Sequence, residues 1–351
     1  MNISVQKVET SKVNTVDFEH LPFGKIFTDH LLEADCIDGE WTNVQIKPYQ
    51  TFQADPSMSV LHYGQAIFEG IKAYKDSKDN VYIFRPMENF HRFNKSAERM
   101  CMPSLPEWLF IDGMKKLIDI DRKWIPQTKD SSLYIRPFMF ATDCQLGVHE
   151  SGTYKFYILL SPSGPYSSSP MKIYVEQKYT RAAPGGVGFS KNAGNYGGSL
   201  IAAREAQKLG YDQVLWTDPF EHKWLQEVGM MNVFFVLNGK AVTPTLEDGT
   251  ILDGVTRKSA ITVLREEMGI EVEERHINID ELVEGFKKGT FTETFGTGTA
   301  AVVSFISKVG YKDTVMDFDV SKSKIAIELK ERLDAIRGFA VEDKRGWMVK
   351  I

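Results

Sequence analysis

The sequence predicts a mixed α/β fold of the α+β kind that is divided into two domains. With 351 residues, the chain is too long for one small core and long enough for two. Both halves contain strand-like and helix-like patterns. Between them, Ser161–Pro170 is the stretch richest in proline, glycine and serine, which is typical of a linker. We therefore predict a small N-terminal domain over 1–161, a linker over 162–174 and a larger C-terminal domain over 175–351.

In the N-terminal half, alternation predicts a strand over Asn80–Phe84. Helical spacing then predicts a helix with Phe90, Phe93, Ala97 and Met100 on its apolar face. A second helix is predicted over about 107–124, with a buried face of Leu109, Met114, Leu117 and Ile118. Tyr134–Pro137 and Lys155–Leu160 are predicted to be strands of one sheet.

The C-terminal half begins with a predicted strand at Met171–Val175 and then alternates strands with helices. Asn238-Gly239 between two apolar runs is a strong hairpin signal. The predicted elements are, in order, a helix over Ser199–Leu209 closed by Gly210, strands over Val233–Leu237 and Ala241–Thr243, a helix over Thr256–Met268, a shorter helix capped by Asp280 and ending before Gly289, and two strands separated by Gly296–Thr299.

The composition is that of an ordinary globular protein. Hydrophobic residues make up 42% and charged residues 25% of the chain. The net charge is −5, from 42 basic and 47 acidic residues, and no basic block is present, which argues against nucleic acid as a partner. Apolar stretches such as Val233–Leu237 and Ala300–Ile306 are much shorter than a membrane span, so we expect no membrane partner.

The N-terminal residues, the cysteines and the histidines give expectations about localisation and metal binding. Met1–Lys7 has neither the apolar core of a secretory signal nor the composition of a transit peptide, so we expect a cytoplasmic protein. Cys36, Cys101 and Cys144 form no CxxC pair and are expected to be reduced thiols. The seven histidines show no HxH, HExxH or HxxxH spacing, and we expect no metal site.

A glycine-rich run around Lys191 is the most informative feature. Residues 185–198 contain six glycines in fourteen positions, and such a backbone can close on a ligand. A poorly solvated lysine presented there loses its proton more easily and becomes a nucleophilic amine, as Schiff-base enzymes require. Taken by itself, such a run is more often a flexible surface loop with a solvated lysine, so the interpretation depends on the rest of the chain.

Three further segments have chemistry that suits a phosphorylated cofactor. Glu227 precedes an apolar strand and either faces water or holds a proton on a heterocyclic nitrogen. In Ile251–Lys258, a glycine turn leads into a helix whose first amides, at Val255 and Thr256, can bind an anion. Phe295–Ala301 fits GxGxxA, but a strand rather than a helix follows it, which argues against dinucleotide binding.

Taken together, these segments resemble the branched-chain amino acid aminotransferases of the fold-type IV, pyridoxal-phosphate-dependent class. The resemblance covers almost the whole chain and rests on Phe23–His30, Leu61–Gly70, Tyr134–Pro137, Gly188–Tyr196, Glu227–Asn232, Gly254–Arg257, Gly296–Ala300 and Trp347–Ile351. It implies a small N-terminal α/β domain and a larger C-terminal pseudo-barrel α/β domain. It also implies reversible transamination of L-leucine, L-isoleucine and L-valine with 2-oxoglutarate to branched-chain 2-oxo acids and L-glutamate.

The resemblance also implies the cofactor, pyridoxal 5'-phosphate, and the residues that bind it. Lys191 would form the Schiff base and move the proton between Cα and C4′ of the reacting pair. Glu227 would keep the pyridine nitrogen protonated, and Tyr196 would form a hydrogen bond with the phenolic oxygen of the ring. The phosphate ligands would be Arg92, the amides of Val255 and Thr256, and Thr299. Helical periodicity alone would make Arg92 a surface residue.

The substrate pocket implied by the resemblance is largely aromatic. Its residues would be Phe23, Tyr63, Phe68, Tyr134, Tyr166 and Ala300, although each aromatic taken singly is more typical of core packing. Arg136 would accept the distal carboxylate of 2-oxoglutarate or glutamate. In the family, Tyr63 belongs to the site of the neighbouring subunit, which implies a homodimer.

The sequence departs from the family pattern at two places. It also leaves several rival functions open. Met230 stands where the family often has a small residue or threonine, and residues 301–304 lack the cysteine pair of some animal members. A D-amino acid aminotransferase or an aminodeoxychorismate lyase would share the lysine, the glutamate and the phosphate ligands but differ in the pocket. A non-catalytic pyridoxal-phosphate carrier or a nucleotide-binding module would not need both Lys191 and Glu227.

Overall fold

The computed structural model describes residues 3–128, 130–164 and 169–351. The chain forms two compact units. The first contains the N-terminal part of the chain together with Ser190–Gly194 and Arg337–Ile351, and the second contains the segment that ends at Phe189 together with Asn195–Ile336. The described residues form helices and two mixed sheets, which confirms the predicted mixed α/β class.

The elements up to residue 164 are eight strands and three α-helices of the described residues. They are β1 (Ser4–Val5), β2 (His30–Ile37), β3 (Glu40–Pro48), α1 (Ser59–Tyr63), β4 (Ala66–Phe68), β5 (Ile71–Lys75), β6 (Val81–Phe84), α2 (Pro86–Arg99), α3 (Gly113–Ile120), β7 (Ser132–Ala141) and β8 (Thr153–Ser163).

The elements from residue 169 onward include the second sheet. They are β9 (Met171–Val175), α4 (Gly194–Gly197), α5 (Leu200–Lys208), β10 (Gln213–Thr217), β11 (Leu225–Val228), β12 (Asn232–Leu237), β13 (Lys240–Pro244), α6 (Val255–Glu266), β14 (Val272–Arg275), α7 (Ile279–Lys288), β15 (Phe291–Gly298), β16 (Val302–Tyr311), β17 (Thr314–Asp317), α8 (Lys324–Arg337) and β18 (Met348–Lys350).

The sheet of the first unit has the strand order β1-β3-β2-β8-β7-β5-β6-β18, and β4 also pairs with β7. The predicted pairing of the strands at 134–137 and 155–160 is confirmed, because β7 and β8 are antiparallel from Ser132↔Ser163 to Ala141↔Tyr154. Alternate residues of a strand point to the same face. Tyr134 and Arg136 of β7 therefore project together.

The predicted helix over about 107–124 is divided into three parts. A π-helical turn at Trp108–Asp112 leads into α3, and a 3-10 turn follows at Arg122–Trp124. All four residues of its predicted buried face are indeed buried. At the end of α3, the buried carboxylate of Asp121 accepts hydrogen bonds from the backbone N–H and Nδ1 of His30 on β2, at 3.0 and 2.7 Å. We attribute the division of the helix at this point to these bonds.

The sheet of the second unit has the order β11-β10-β9-β16-β15-β12-β13-β14, with β17 paired to β16. The predicted hairpin is confirmed. Strands β12 and β13 are antiparallel, and φ is 52° at Asn238 and 77° at Gly239, as a primed hairpin turn requires.

Two details of the second unit differ from the sequence prediction. Helix α7 is capped by Asn278, whose side chain accepts from the Asp280 N–H, and not by Asp280. Asn278 has the extended backbone of an N-cap residue, whereas Asp280 already lies in the first helical turn, where its charge complements the helix dipole. In addition, Gly296–Gly298 belongs to β15, so the break between β15 and β16 falls at 299–301.

The predicted linker overlaps the end of β8 and most of β9 along the chain. Strand β8 continues to Ser163 and β9 begins at Met171, while residues 165–168 lie outside the described residues. The division at 162–174 stays a prediction. Every helix of the described ranges is too short or too polar to cross a lipid bilayer.

Candidate active site

The segment that carries Lys191 is held in place by backbone hydrogen bonds. Phe68 N–H donates to the Lys191 carbonyl at 3.0 Å, and Ala193 N–H donates to the Ala66 carbonyl at 3.0 Å. Lys191 N–H donates to Ser96 Oγ of α2 at 2.9 Å. The Lys191 side chain is half-buried, and its Nζ lies 4.9 Å from the centre of the Phe68 ring. Lys191 is therefore fixed against β4 rather than placed on a loose surface loop.

Arg92 is buried, with 8% exposure, so the surface position suggested by helical periodicity is wrong. Its Nε and Nη2 donate to the two carboxylate oxygens of Glu69 at 2.7 and 2.8 Å. Glu69 is completely buried, and this anion makes it favourable for an arginine of α2 to turn inward.

A cavity of about 340 Å³ opens beside Phe68 in the first unit. Its walls include four predicted site residues and two others: Phe23, Phe68, Tyr134, Arg136, Phe138 and Ala193. The guanidinium of Arg136 lies 4.7 Å from the centre of the Phe68 ring, and its Nη2 donates to Tyr134 Oη at 2.9 Å. The Phe23 and Tyr134 rings meet edge to face at 4.9 Å.

Arg136 has unused hydrogen-bonding capacity in this cavity. Its Nε is buried and makes no hydrogen bond to any described residue. A buried donor without a partner costs free energy unless a ligand or water satisfies it. Arg136 also lines the cavity, and guanidinium N–H groups pair with carboxylate oxygens such as those of an acidic ligand.

Tyr63, a predicted pocket residue of this unit, does not line this cavity. Tyr63 is 42% exposed, and its hydroxyl donates to the Leu146 carbonyl at 2.6 Å. Tyr166 lies outside the described residues.

Glu227 is buried in β11 of the second unit, with 4% exposure, so it is not a strand-end carboxylate facing water. Its Oε1 accepts hydrogen bonds from Leu252 N–H at 2.7 Å and from Asn232 Nδ2 at 3.5 Å. Its Oε2 lies 3.4 Å from Nη2 of the buried Arg181. These contacts hold the carboxylate in a fixed position, from which it can accept a hydrogen bond from a proton-bearing partner.

Helix α6 begins where the sequence predicts a helix N-terminus that can bind an anion. Gly254 is the N-cap, and Val255 and Thr256 are the first residues of the helix. A Cβ atom on Gly254 would overlap Asn232 Oδ1, so the backbone approaches Asn232 more closely than any other residue type allows. Asn232 Nδ2 also donates to the Leu252 carbonyl at 2.9 Å. This side chain therefore connects the helix entry with Glu227.

The remaining predicted residues of the second unit lie in turns and in α4. Thr299 and Ala300 are half-buried in the turn after β15, and Thr297 before them pairs with Asn232 of β12. Val302 after the turn has φ of 65°, an uncommon conformation for a β-branched residue that often marks functional sites. Tyr196 is half-buried in α4.

Met230 lies at the tip of the turn between β11 and β12, where Val228 and Met231 exchange backbone hydrogen bonds of 2.9 Å. It is 61% exposed. Met230 is therefore exposed to solvent, whereas Glu227 is buried.

Comparison with known proteins identifies the family. A family model described as "Amino-transferase class IV" matches residues 66–309. The chain belongs to the class IV aminotransferases. This aminotransferase is 49% identical over 341 residues to a "Probable branched-chain-amino-acid aminotransferase" of Staphylococcus epidermidis, with coverage of 95% of this chain and 94% of the relative. It is 47% identical to the "Branched-chain-amino-acid transaminase 1" of Bacillus subtilis, with coverage of 95% of both.

Solved structures agree with the fold-type IV architecture. The "Eschelichia coli" branched-chain amino acid aminotransferase has a TM-score of 0.75 and 25% identity, with coverage of 92% of this chain and 98% of that one. The branched-chain amino acid aminotransferase of Thermoproteus uzoniensis, solved with norvaline, has a TM-score of 0.73 and 25% identity, with coverage of 91% and 99%. A third such enzyme, in complex with N-(5'-phosphopyridoxyl)-L-glutamate, has a TM-score of 0.71 and 25% identity, with coverage of 90% and 97%. The family and fold implied by the resemblance are confirmed.

The described residues fit pyridoxal phosphate, the cofactor on which class IV aminotransferases depend. The first unit offers a half-buried lysine and a buried arginine. The second unit offers a helix N-terminus with a glycine cap and a buried carboxylate. An amine for a Schiff base, donors for a phosphate and an acceptor for a pyridinium proton are the groups that this cofactor requires.

Sequence reasoning missed four residues that hold these groups. They are Glu69, Gly70, Arg181 and Asn232. Glu69 and Gly70 lie within the Leu61–Gly70 motif, and Asn232 ends the Glu227–Asn232 motif. For Glu69 and Asn232, the available signal was a charged or amide residue within a motif that already contains a predicted site residue. The partner of each of these two residues lies too far along the chain to be identified from spacing.

Proposed function

We propose that this aminotransferase catalyses the reversible transamination of L-leucine, L-isoleucine and L-valine with 2-oxoglutarate, through a Schiff base of Lys191 with pyridoxal 5'-phosphate. The single observation that carries the proposal is the aromatic cavity beside Phe68, with the buried Nε of Arg136 at its wall and Lys191 Nζ on the Phe68 ring. The names of the relatives support the branched-chain substrate.

When bound, the cofactor supplies an electron sink for the negative charge that develops at the substrate Cα. Lys191 would bind it covalently through its amine and would serve as the acid–base group for the proton at the substrate Cα. The hydrogen bonds on the Lys191 backbone restrict where its amine can reach. Arg92 of the first unit would bind the phosphate. The phosphate ligands of the second unit would be the α6 amides of Val255 and Thr256 and the hydroxyl of Thr299.

Glu227 would accept a hydrogen bond from the protonated pyridine nitrogen and would keep that nitrogen charged. Leu252, Asn232 and Arg181 hold this carboxylate in place. Tyr196 would donate a hydrogen bond to the phenolic oxygen of the ring.

The cavity accounts for both kinds of substrate. Burying a branched aliphatic side chain against Phe23, Phe68 and Tyr134 is favourable by about 1.5–3 kcal/mol. The acidic substrate carries a distal carboxylate, which the guanidinium of Arg136 at the cavity wall binds. The family resemblance also assigns Ala300 and Tyr166 to the substrate site.

The direct test is the visible spectrum of the purified, cofactor-loaded protein. We expect an absorbance band that bleaches on addition of L-leucine or L-glutamate and not on addition of D-leucine. Bleaching by D-leucine would instead favour a D-amino acid aminotransferase. A band that no amino acid changes would favour a non-catalytic carrier, and absence of a band after reconstitution would contradict the cofactor.

Gly70 provides a test of the cavity wall. A Cβ atom there would overlap Tyr134 Oη, so Gly70→Ala displaces Tyr134 and, through their hydrogen bond, Arg136. We expect kcat/KM for L-glutamate to fall by about tenfold to a hundredfold, the effect of an error of about 1 Å in position. Gly147→Ala is the control, because nothing lies within 4 Å of its Cβ position. Unchanged kinetics for Gly70→Ala would contradict the coupling of Tyr134 to Arg136.

The proposed active unit is a homodimer in the cytoplasm, in which Tyr63 serves the site of the second copy. The exposure of Tyr63 and its absence from the cavity of its own chain support this assignment. A two-fold dimer then allows complementation. Lys191→Ala and Tyr63→Ala, each poor alone, should regain activity when the two are unfolded and refolded together, because one site per mixed dimer receives both wild-type residues.

Mixed dimers are verified by two different affinity tags on the parents. If tag-verified mixed dimers are as inactive as either parent, Tyr63 acts within its own chain. Two co-refolded samples of Lys191→Ala that differ only in their tags serve as the control.

A further inference from the structure

Glu69 is a fully buried carboxylate to which neither its motif nor the proposed reaction gives a role. It lies between β4 and β5, directly after Phe68, with no exposed surface. Four hydrogen bonds converge on it: from Arg92 Nε at 2.7 Å, Arg92 Nη2 at 2.8 Å, Asn89 Nδ2 at 2.8 Å and the Gly70 N–H at 3.1 Å. Its two oxygens are thus fixed from α2 on one side and from its own backbone on the other.

The carboxylate is ionised in this environment. Burial acts to raise the pKa of Glu69, but the charge and hydrogen bonds of Arg92, the charge of Lys191 and the hydrogen bond from Asn89 hold its pKa below the ordinary value. One anion therefore faces two cations. Other cations nearby include Arg136 of β7, beside the Phe68 ring, and the buried Lys72 of β5, which is opposite Tyr134 in the strand register. Helix α2 also carries Lys95 and Arg99, and β5 also carries Lys75.

The geometry has two consequences for Arg92. An arginine has a long and flexible side chain, and a two-point contact with a carboxylate fixes the plane of its guanidinium. Removing one member of a buried ion pair leaves an uncompensated charge, which is strongly unfavourable. Glu69 thus determines both where the guanidinium lies and how much net positive charge is present close to Lys191.

We propose that Glu69 is a positioning residue: it orients Arg92 for the cofactor phosphate and offsets one of the positive charges close to the Lys191 nitrogen. This inference rests on the proposed function, in which Lys191 forms the Schiff base and Arg92 binds the phosphate. Two substitutions separate the two effects, since Glu69→Gln keeps the size and removes the charge, whereas Glu69→Asp keeps the charge and shortens the reach.

For Glu69→Gln, the readout is the pH at which the visible band of the bound cofactor changes as its Schiff-base nitrogen loses a proton. Without the carboxylate, the cations disfavour the protonated nitrogen, so we expect the transition to move to lower pH by about one unit. The control is Glu33→Gln, which removes another buried carboxylate of the first unit that pairs with Lys47 at 2.7 Å, and it should leave the transition unchanged.

For Glu69→Asp, the readout is cofactor affinity of the apoenzyme, measured by fluorescence quenching with pyridoxal 5'-phosphate and with pyridoxal. The shorter side chain cannot reach both nitrogens of Arg92. We expect the affinity for the phosphorylated compound to be about tenfold weaker, because the loss of one charge-assisted hydrogen bond has an effect of this size. Affinity for pyridoxal and the pH of the spectral transition should stay close to those of the wild type.

The outcomes are distinguishable from failure of the proposed function. If the wild-type protein shows no pH-dependent visible band, the proposed function fails. If the wild type shows the band and Glu69→Gln has the same transition pH, or if Glu69→Asp binds both compounds like the wild type, the role of Glu69 is overturned while the function stands. Should Glu69→Gln fail to fold by circular dichroism, the affinity measurement on Glu69→Asp decides alone.

Discussion

Lys191→Ala should abolish turnover, with a residual rate below about a thousandth of the wild type, because general acid–base catalysis alone contributes factors of this size. The fold should survive the change. The contacts that hold the segment are the N–H and carbonyl groups of Lys191 bonded to Ser96 and Phe68, and alanine retains both. Loss of activity can therefore be assigned to the missing amine.

The measurement is the steady-state rate with L-leucine and 2-oxoglutarate, together with circular dichroism and a thermal melt. The variant should still bind the cofactor weakly through its phosphate ligands. The matched control is Lys208→Ala, which removes an exposed lysine of α5 and should keep full activity. A Lys191→Ala rate above the stated limit would exclude an acid–base role for this side chain.

Glu227→Gln should fold and take up cofactor but lose about a hundredfold or more in kcat, comparable with the removal of one preorganised electrostatic stabiliser. A neutral amide cannot keep the pyridine nitrogen protonated, so the ring accepts electrons less well. The amide also leaves Arg181, 3.4 Å away, without its ionic partner.

The control for this effect is Glu293→Gln. Glu293 is a buried carboxylate of β15 in the same unit, and it accepts hydrogen bonds from the backbone N–H groups of Ile325 and Ala326 at 3.2 and 3.0 Å. Its replacement should lower stability more than activity. A Glu227→Gln enzyme with a nearly wild-type kcat would show that the carboxylate does not control the electron sink.

Much of the fold could be predicted because its signals are local. The hairpin at Asn238-Gly239 follows from two residues that adopt positive φ. The entry into α6 follows from a glycine before a helical pattern. In both cases the deciding residues lie next to each other in the chain.

The side-chain partners could not be predicted, because each depends on a contact between distant positions. Arg92 turns inward because Glu69, 23 positions earlier, is buried with it. Asn232 matters through its contact with Leu252, 20 positions later. Periodicity reports only which face of an element is apolar, and a polar residue that points inward to a buried partner gives no such signal.

The central claim is that Lys191 is the lysine that binds the cofactor covalently. Borohydride reduction of the cofactor-loaded protein, followed by proteolysis and mass spectrometry, tests it directly, since reduction converts a Schiff base into a stable secondary amine. We expect the pyridoxyl-phosphate adduct on the peptide that contains Lys191, and we expect it to decrease strongly when excess L-leucine is added before reduction. An adduct on a different lysine, or an adduct on Lys191 that L-leucine does not diminish, would contradict the assignment.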